Sequence, residues 1–75
     1  MEIELRLFAT LASRMPAGGE RYPILNGMTV GQLLDQLQLP LSEAKLIFVN
    51  GVRADPDTVL QGGERVGIFP PVGGG

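Results

Sequence analysis

The most distinctive chemistry in this sequence lies in residues 68–75, IFPPVGGG. Two prolines and a valine lead to three glycines, which lack every Cβ that would collide with the walls of a narrow channel. The unusual reactive group of such an arm is the α-carboxylate of Gly75. A carboxylate is unreactive until it is activated, and ATP-dependent adenylation would make it an acyl donor. The residue types therefore predict that Gly75 reacts while another protein supplies the catalytic groups.

The composition excludes most side-chain catalysis. There is no cysteine and no histidine, which removes thiolate nucleophiles, disulfides, Cys/His metal sites and the usual proton shuttle at neutral pH. The net charge of −2 is spread along the chain, without the basic stripe that nucleic acid requires. No apolar run is long enough to span a bilayer, and the first residues alternate instead of forming a signal sequence. We predict a cytoplasmic protein with no metal, no nucleic acid and no membrane partner.

The arm must be held by a small folded domain. Period-two alternation of apolar and polar residues predicts strands in residues 2–8 and 64–69, and residues 21–26 are interpreted as a second short strand. Pro23 places the second strand at a sheet edge, because proline has no amide hydrogen to donate. In the third strand Val66 and Ile68 are expected to face inward, with Phe69 on the opposite face.

A capping box predicts the start of the main helix. Thr29 is followed three residues later by Gln32, and apolar residues then recur at i, i+3, i+4 and i+7. We expect an amphipathic helix over residues 30–39, ended by Pro40. Shorter helical turns are predicted for residues 9–15 and 58–60.

The stretch KLIFVNGVRA, residues 45–54, predicts a β-hairpin. Asn50-Gly51 is the preferred pair for a type I′ turn between two short strands. Together these elements indicate an α+β two-layer domain in residues 1–69. Residues 70–75 are expected to form a flexible carboxyl-terminal arm that spans roughly 20 Å when extended.

Three stretches carry a family resemblance: LRLFATLASR at 5–14, FVNGVRA at 48–54 and LQGGERVGIFPPVGGG at 60–75. In these the chain resembles the ubiquitin-like sulfur carriers of the MoaD/ThiS superfamily, particularly the MoaD-like small subunit of molybdopterin synthase. Phe-Pro-Pro-Val followed by a terminal Gly-Gly is the most specific of the matches. The resemblance implies a β-grasp fold, a mixed five-stranded sheet packed on one main helix.

The resemblance also implies a function for the arm. Gly75 would be adenylated, converted to a thiocarboxylate, and used to donate sulfur in molybdenum cofactor biosynthesis. The residues expected to thread into a partner are Phe69, Pro70, Pro71, Val72, Gly73 and Gly74. The implied partners are a ubiquitin-activating-type adenylyltransferase (MoeB/ThiF-like), the large subunit of molybdopterin synthase (MoaE-like) and a sulfurtransferase as sulfur source. The chain would be a non-catalytic subunit that binds no cofactor permanently, with ATP used by the activating enzyme.

Other functions remain open at this point. A thiazole-pathway (ThiS-like) carrier has the same thiocarboxylate, although the inserted stretch ATLASRMPAGG favours the molybdopterin type. Carriers for tungsten cofactor or cysteine, a ubiquitin-like modifier joined through Gly75 to lysines, and a plain interaction domain are further alternatives.

Some side chains outside the arm are candidates for partner contacts. Three aromatic residues have two possible interpretations: they form an apolar patch on the sheet face away from the helix, or they pack in the core. These residues are Phe8, Phe48 and Phe69. Three arginines likewise have two possible interpretations: they form a basic rim that faces an acidic partner, or they lie on a solvated strand face. These residues are Arg6, Arg53 and Arg65. Turn-forming roles are favoured over a metal or acid/base site for three acidic residues: Asp55, Asp57 and Glu64.

Overall fold

The alternating stretches of the sequence pair into one mixed sheet in a computed structural model that describes residues 1–71. Its five strands are β1 (Glu2–Leu7), β2 (Tyr22–Pro23), β3 (Leu46–Val49), β4 (Val52–Arg53) and β5 (Arg65–Phe69). One α-helix, α1 (Val30–Leu37), and two short 3₁₀ helices, Ala9–Arg14 and Gly19–Arg21, complete the elements of this part of the chain. No helix within residues 1–71 is long and apolar enough to cross a bilayer.

The strand order is β2-β1-β5-β3-β4, which puts the last strand in the middle of the sheet. β5 runs parallel to β1, with Leu7 opposite Ile68, and antiparallel to β3, with Ile47 opposite the same Ile68. β2 pairs with β1 at the edge of the sheet, as Pro23 predicts, but it covers only two residues of the predicted stretch 21–26.

The core lies between one face of the sheet and α1. The alternate residues of β1 and β5 are at most 6% exposed: Ile3, Leu5, Leu7, Val66 and Ile68. The helix buries Val30, Leu33 and Leu34 against them, and Leu37 packs at the margin of the core. The predicted two-layer α+β architecture is confirmed.

The helix begins at the capping box and ends before the predicted proline. Thr29 Oγ1 accepts a hydrogen bond from the Gln32 amide at 3.2 Å, and Gln32 Oε1 accepts one from the Thr29 amide at 2.9 Å. At the other end Gln38 takes the left-handed conformation (φ 59°), and its amide and that of Leu39 donate back into the last turn. This Schellman-type ending turns Leu39 into the core, so the helix stops at Leu37 and not at Pro40.

The substitution Thr29→Ala removes the side-chain acceptor of this cap. We expect it to lower the free energy of unfolding by about 1 kcal/mol, because the Gln32 amide loses its partner. Denaturant unfolding measures the change. Thr10→Ala, at an exposed position in the first 3₁₀ helix, is the control and should change stability by less than about 0.5 kcal/mol. Equal effects of the two substitutions would contradict the stabilising role of the cap.

The hairpin is formed as predicted. Asn50 (φ 52°) and Gly51 (φ 81°) both occupy the left-handed region, which a type I′ turn requires, and Val49 pairs with Val52 across them. Asn50 Oδ1 also accepts a hydrogen bond from the Arg65 amide at 2.9 Å. The turn therefore connects the hairpin to the start of β5.

The helical turn predicted for residues 58–60 is wrong. Val59 instead bridges Thr29, and the Leu60 amide donates to the Met28 carbonyl at 2.8 Å. Leu60 is 1% exposed, so extended backbone here places its side chain in the core. The turn instead spans residues 55–58, where the Thr58 amide donates to the Asp55 carbonyl.

Candidate partner-binding face beside the carboxyl-terminal arm

The arm leaves the molecule from the centre of the sheet. Phe69 is the last residue of β5, and it lies opposite Leu46 at the start of β3. Pro70 is half-buried and Pro71 is exposed. The remaining predicted site residues, Val72, Gly73, Gly74 and Gly75, lie outside the described residues, as does the predicted flexibility of that segment. The structure therefore fixes where the arm starts: at the middle of one sheet end.

Three aromatic rings surround this exit on the sheet face opposite α1. The rings of Phe8 and Phe69 are stacked, with centroids 4.2 Å apart and planes 3° from parallel. Phe48 meets Phe69 edge-to-face at a centroid distance of 5.7 Å. All three side chains are half-buried. The predicted apolar patch is confirmed, and core packing is excluded as the main role of these residues.

Gly67 makes the groove between the rings. A Cβ built on this glycine would lie 3.2 Å from the Phe8 ring, closer than ordinary contact, so a side chain here would displace the stacked pair. The open space is a groove of about 330 Å³ lined by Arg6, Phe8, Phe48, Gly51, Arg65, Gly67 and Phe69. We call these seven residues the aromatic face. Such an exposed apolar groove is typical of a surface that binds another protein.

Arginines make the rim of the aromatic face positive. Arg6 Nε lies 2.9 Å, and Arg65 Nε 3.6 Å, from the same carboxylate oxygen of Glu4. Arg53 is opposite Phe48 in the hairpin ladder and therefore points to the same side of the sheet. Among the described residues this face thus carries three arginines, two of which share the Glu4 carboxylate, on a protein whose net charge is −2. This asymmetry favours a partner with an acidic surface, and affects the association rate more than the affinity.

The acidic residues near the second glycine pair serve the turn that precedes β5. Glu64 is 8% exposed, and its carboxylate accepts hydrogen bonds from the amides of Gln61 (2.6 Å) and Gly62 (2.7 Å). Asp55 and Asp57 are exposed. Within residues 1–71 no three acidic side chains form a group that could hold a metal ion. The burial of Glu64 was not predicted, although the Gly-Gly before it leaves amides that need an acceptor.

Comparison with known families settles the relationship that the fold suggests. The model of the ThiS family matches residues 5–75. The chain belongs to the ThiS family. The match runs through the opening strand, the hairpin and the arm, the three stretches that carry the resemblance to MoaD/ThiS-type proteins. A comparison with curated proteins finds no match.

Two solved structures resemble this ThiS family member over nearly its whole length. A crystal structure of SAMP1 from Haloferax volcanii is 25% identical, covers 100% of both chains and has a TM-score of 0.70. A crystal structure of small archaeal modifier protein 1 from H. volcanii is 26% identical, covers 95% of this chain and 98% of the other, and has a TM-score of 0.73. The chain is thus a ubiquitin-like protein of the sulfur carrier and modifier type, with the predicted β-grasp fold.

Proposed function

We propose that this protein is a cytoplasmic sulfur carrier whose Gly75 is converted to a thiocarboxylate, and that it serves as the small subunit of a molybdopterin synthase. The observation that supports this most directly is the family match, which continues through the Gly-Gly end. The structure adds a suitable origin for the arm, since β5 ends beside an exposed aromatic groove. Residues 69–74 would enter the partner, and Gly75 would carry the reacting atoms.

The proposed chemistry takes place on a second protein. The Gly75 carboxylate attacks the α-phosphate of ATP, which forms an acyl adenylate and releases pyrophosphate. Hydrosulfide, or a persulfide of the sulfurtransferase together with a thiol that reduces the acyl disulfide, then supplies the sulfur: a C–S bond to the acyl carbon forms and AMP leaves. The thiocarboxylate so formed donates its sulfur to a precursor bound by the large synthase subunit. The chain itself contributes the arm and the surface by which the activating enzyme recognises it.

The aromatic face is suited to that recognition because it adjoins the first residue of the arm. Phe69 belongs both to the stacked pair and to the segment that would enter the partner. An enzyme that buries the three rings would therefore fix the origin of the arm relative to its own active site. The central aromatic residues of a protein interface commonly supply most of the binding energy.

Phe48→Ala tests the role of this face. Loss of a central aromatic anchor costs about 2 kcal/mol of binding free energy, which corresponds to a rise of roughly 30-fold in the KM of the activating enzyme for this protein. Phe48 is half-buried on the outer face, so the fold should persist. The measurement is the rate of ATP–pyrophosphate exchange as a function of carrier concentration.

Val52→Ala is the matched control. Val52 is 67% exposed but lies opposite Val49, which packs towards the core, and so it points away from the aromatic face. We expect its KM to remain within about twofold of the unsubstituted value, a difference below 0.5 kcal/mol. An unchanged KM for Phe48→Ala would mean that the activating enzyme docks elsewhere.

Intact mass spectrometry tests the function itself. After incubation with a ubiquitin-activating-type adenylyltransferase, ATP and sulfide, the carrier should gain the mass difference between sulfur and oxygen. Addition of the large subunit of a molybdopterin synthase and its precursor should return the carrier to its original mass as the dithiolene product forms. A thiocarboxylate that is never consumed in this second step would keep the sulfur-carrier function but reject the molybdopterin assignment.

Protein modification is the second candidate function, favoured by the similarity to small archaeal modifier protein 1. Here the activated Gly75 would acylate lysine side chains of other proteins. The same mass experiment separates the two functions when it is performed in a cell extract. A carrier shows a single shifted species, whereas a modifier shows a series of heavier conjugates.

A further inference from the structure

The chain holds a single lysine. Lys45 is the one lysine among six basic residues, and the other five are arginines. A guanidinium group remains protonated in proteins and does not accept acyl groups, whereas the lysine amine does. Cysteine and histidine are absent. The ε-amine of Lys45 is therefore the strongest side-chain nucleophile in the sequence towards an activated acyl group.

The fold places this amine beside the origin of the arm. Lys45 is exposed and immediately precedes β3. Leu46 lies opposite Phe69 in the antiparallel ladder, so one further step in the same register puts Lys45 next to Pro70. Adjacent strands are about 4.8 Å apart. Among residues 1–71, the ion pairs do not include Lys45, and its amine is not held by a carboxylate there.

The covalent tether between the amine and Gly75 is short. Six residues, 70–75, separate the sheet from the carboxyl carbon, a contour of roughly 20 Å at most. Two groups joined by a short tether that can bridge them have an effective concentration on the order of millimolar. At a protein concentration of about 10 µM, reaction within one molecule would exceed reaction between two molecules roughly 100-fold.

We propose that Lys45 captures the activated Gly75 of its own chain and closes a lactam whenever the arm is not held by a partner. The proposal rests on the activation of Gly75 described above. The unprotonated ε-amine attacks the Gly75 carbonyl carbon and an amide C–N bond forms. The C–O bond to AMP, or the C–S bond to a thiol, breaks, and the amine proton passes to solvent. No oxidant or reductant is required.

This reaction would compete with sulfur loading. An acyl adenylate that leaves its enzyme before sulfur arrives would close onto Lys45 and lose its reactive end. Sulfur must therefore be delivered while the arm is still bound. Occupation of the aromatic face by the enzyme would serve this need, because it holds the arm at Phe69, one residue from the point where Lys45 stands.

The test uses the full chain with Gly75 prepared chemically as a thioester, so that no activating enzyme is needed. We expect a product of monomer size, one water lighter than the free carboxylate form, that appears at a rate independent of protein concentration. Trypsin should release a branched peptide in which residues 66–75 are attached to residues 22–53 through Lys45. An ester to a hydroxyl side chain is excluded when the product resists hydroxylamine.

Two variants serve as controls. Lys45→Arg keeps the charge and should only hydrolyse. Lys45→Arg combined with Arg21→Lys keeps one lysine but moves it to the strand edge beyond β1, near the opposite end of the sheet, and should close at least about tenfold more slowly because the tether reaches it poorly. Equal closure by this double variant, a dimeric product, or wild-type hydrolysis at the rate of Lys45→Arg would each overturn the proposal.

The experiments test the sulfur-carrier function and the Lys45 proposal independently. Lys45→Arg should still gain sulfur from an activating enzyme, ATP and sulfide. If the thioester closes but no enzyme loads sulfur, the sulfur-carrier function fails while the reactivity of Lys45 stands. If sulfur is loaded but the thioester only hydrolyses, the proposal for Lys45 fails and the carrier function stands.

Discussion

Removal of Gly74 and Gly75 is expected to abolish sulfur loading without loss of the fold. The truncated chain keeps a carboxylate, but that group lies two residues nearer to the sheet, about 7 Å short of the activating site in an extended arm. No acyl adenylate should form, so both ATP–pyrophosphate exchange and the sulfur mass shift should fall to background. The core is formed by residues up to Ile68, and the thermal transition should therefore be unchanged.

Gly73→Ala is the control for this truncation. It alters the same segment by one methyl group but leaves Gly74 and Gly75 in place. The Gly75 carboxylate keeps its distance from the sheet, so this variant should load sulfur at close to the normal rate. Loading of the truncated chain at the rate of Gly73→Ala would end the sulfur-carrier hypothesis.

Ile68→Ala should have the largest effect on stability. Ile68 is fully buried in the central strand, opposite both Leu7 and Ile47. Such a truncation costs about 2–5 kcal/mol from lost burial and the cavity left behind. At about 0.05–0.15 kcal/mol per residue, a chain of 75 residues has roughly 4–11 kcal/mol of stability in total. Denaturant unfolding should therefore show a transition at a much lower denaturant concentration than for the unsubstituted protein.

Leu25→Ala is the matched control for the core substitution. It removes a comparable aliphatic side chain, but from a position that is 72% exposed. Its free energy of unfolding should remain within about 0.5 kcal/mol of the unsubstituted value. A loss for Ile68→Ala no larger than that for Leu25→Ala would contradict the central position of β5 in the core.

Local patterns in the sequence predicted the parts of the fold that depend on local physics. The alternation in residues 2–8, the capping box at Thr29 and the Asn50-Gly51 turn each specify structure through neighbouring residues, and all three are confirmed. The helix end was misplaced because Gln38, not a glycine, takes the left-handed conformation. Residues 58–60 were misassigned because their conformation is set by distant partners, Met28 and Thr29.

The candidate site likewise has one feature that local patterns predict and others that depend on distant residues. Alternation alone put Phe69 on the outer face, but the stacking of Phe8 on Phe69 depends on the parallel pairing of the first and last strands, which no local pattern encodes. The sharing of Glu4 by two arginines likewise needs the register of that pairing. The chemistry of Gly75 is a prediction from residue types and a family resemblance. The truncation experiment described above tests it.

The central position of β5 has a mechanical consequence for an arm that is drawn into another protein. Tension applied at Pro70 acts along β5 and loads its ladders with β1 and β3 in shear, so that the hydrogen bonds on both flanks resist together instead of opening one after another. A bound partner can therefore exert force on the arm without detaching β5 from the sheet.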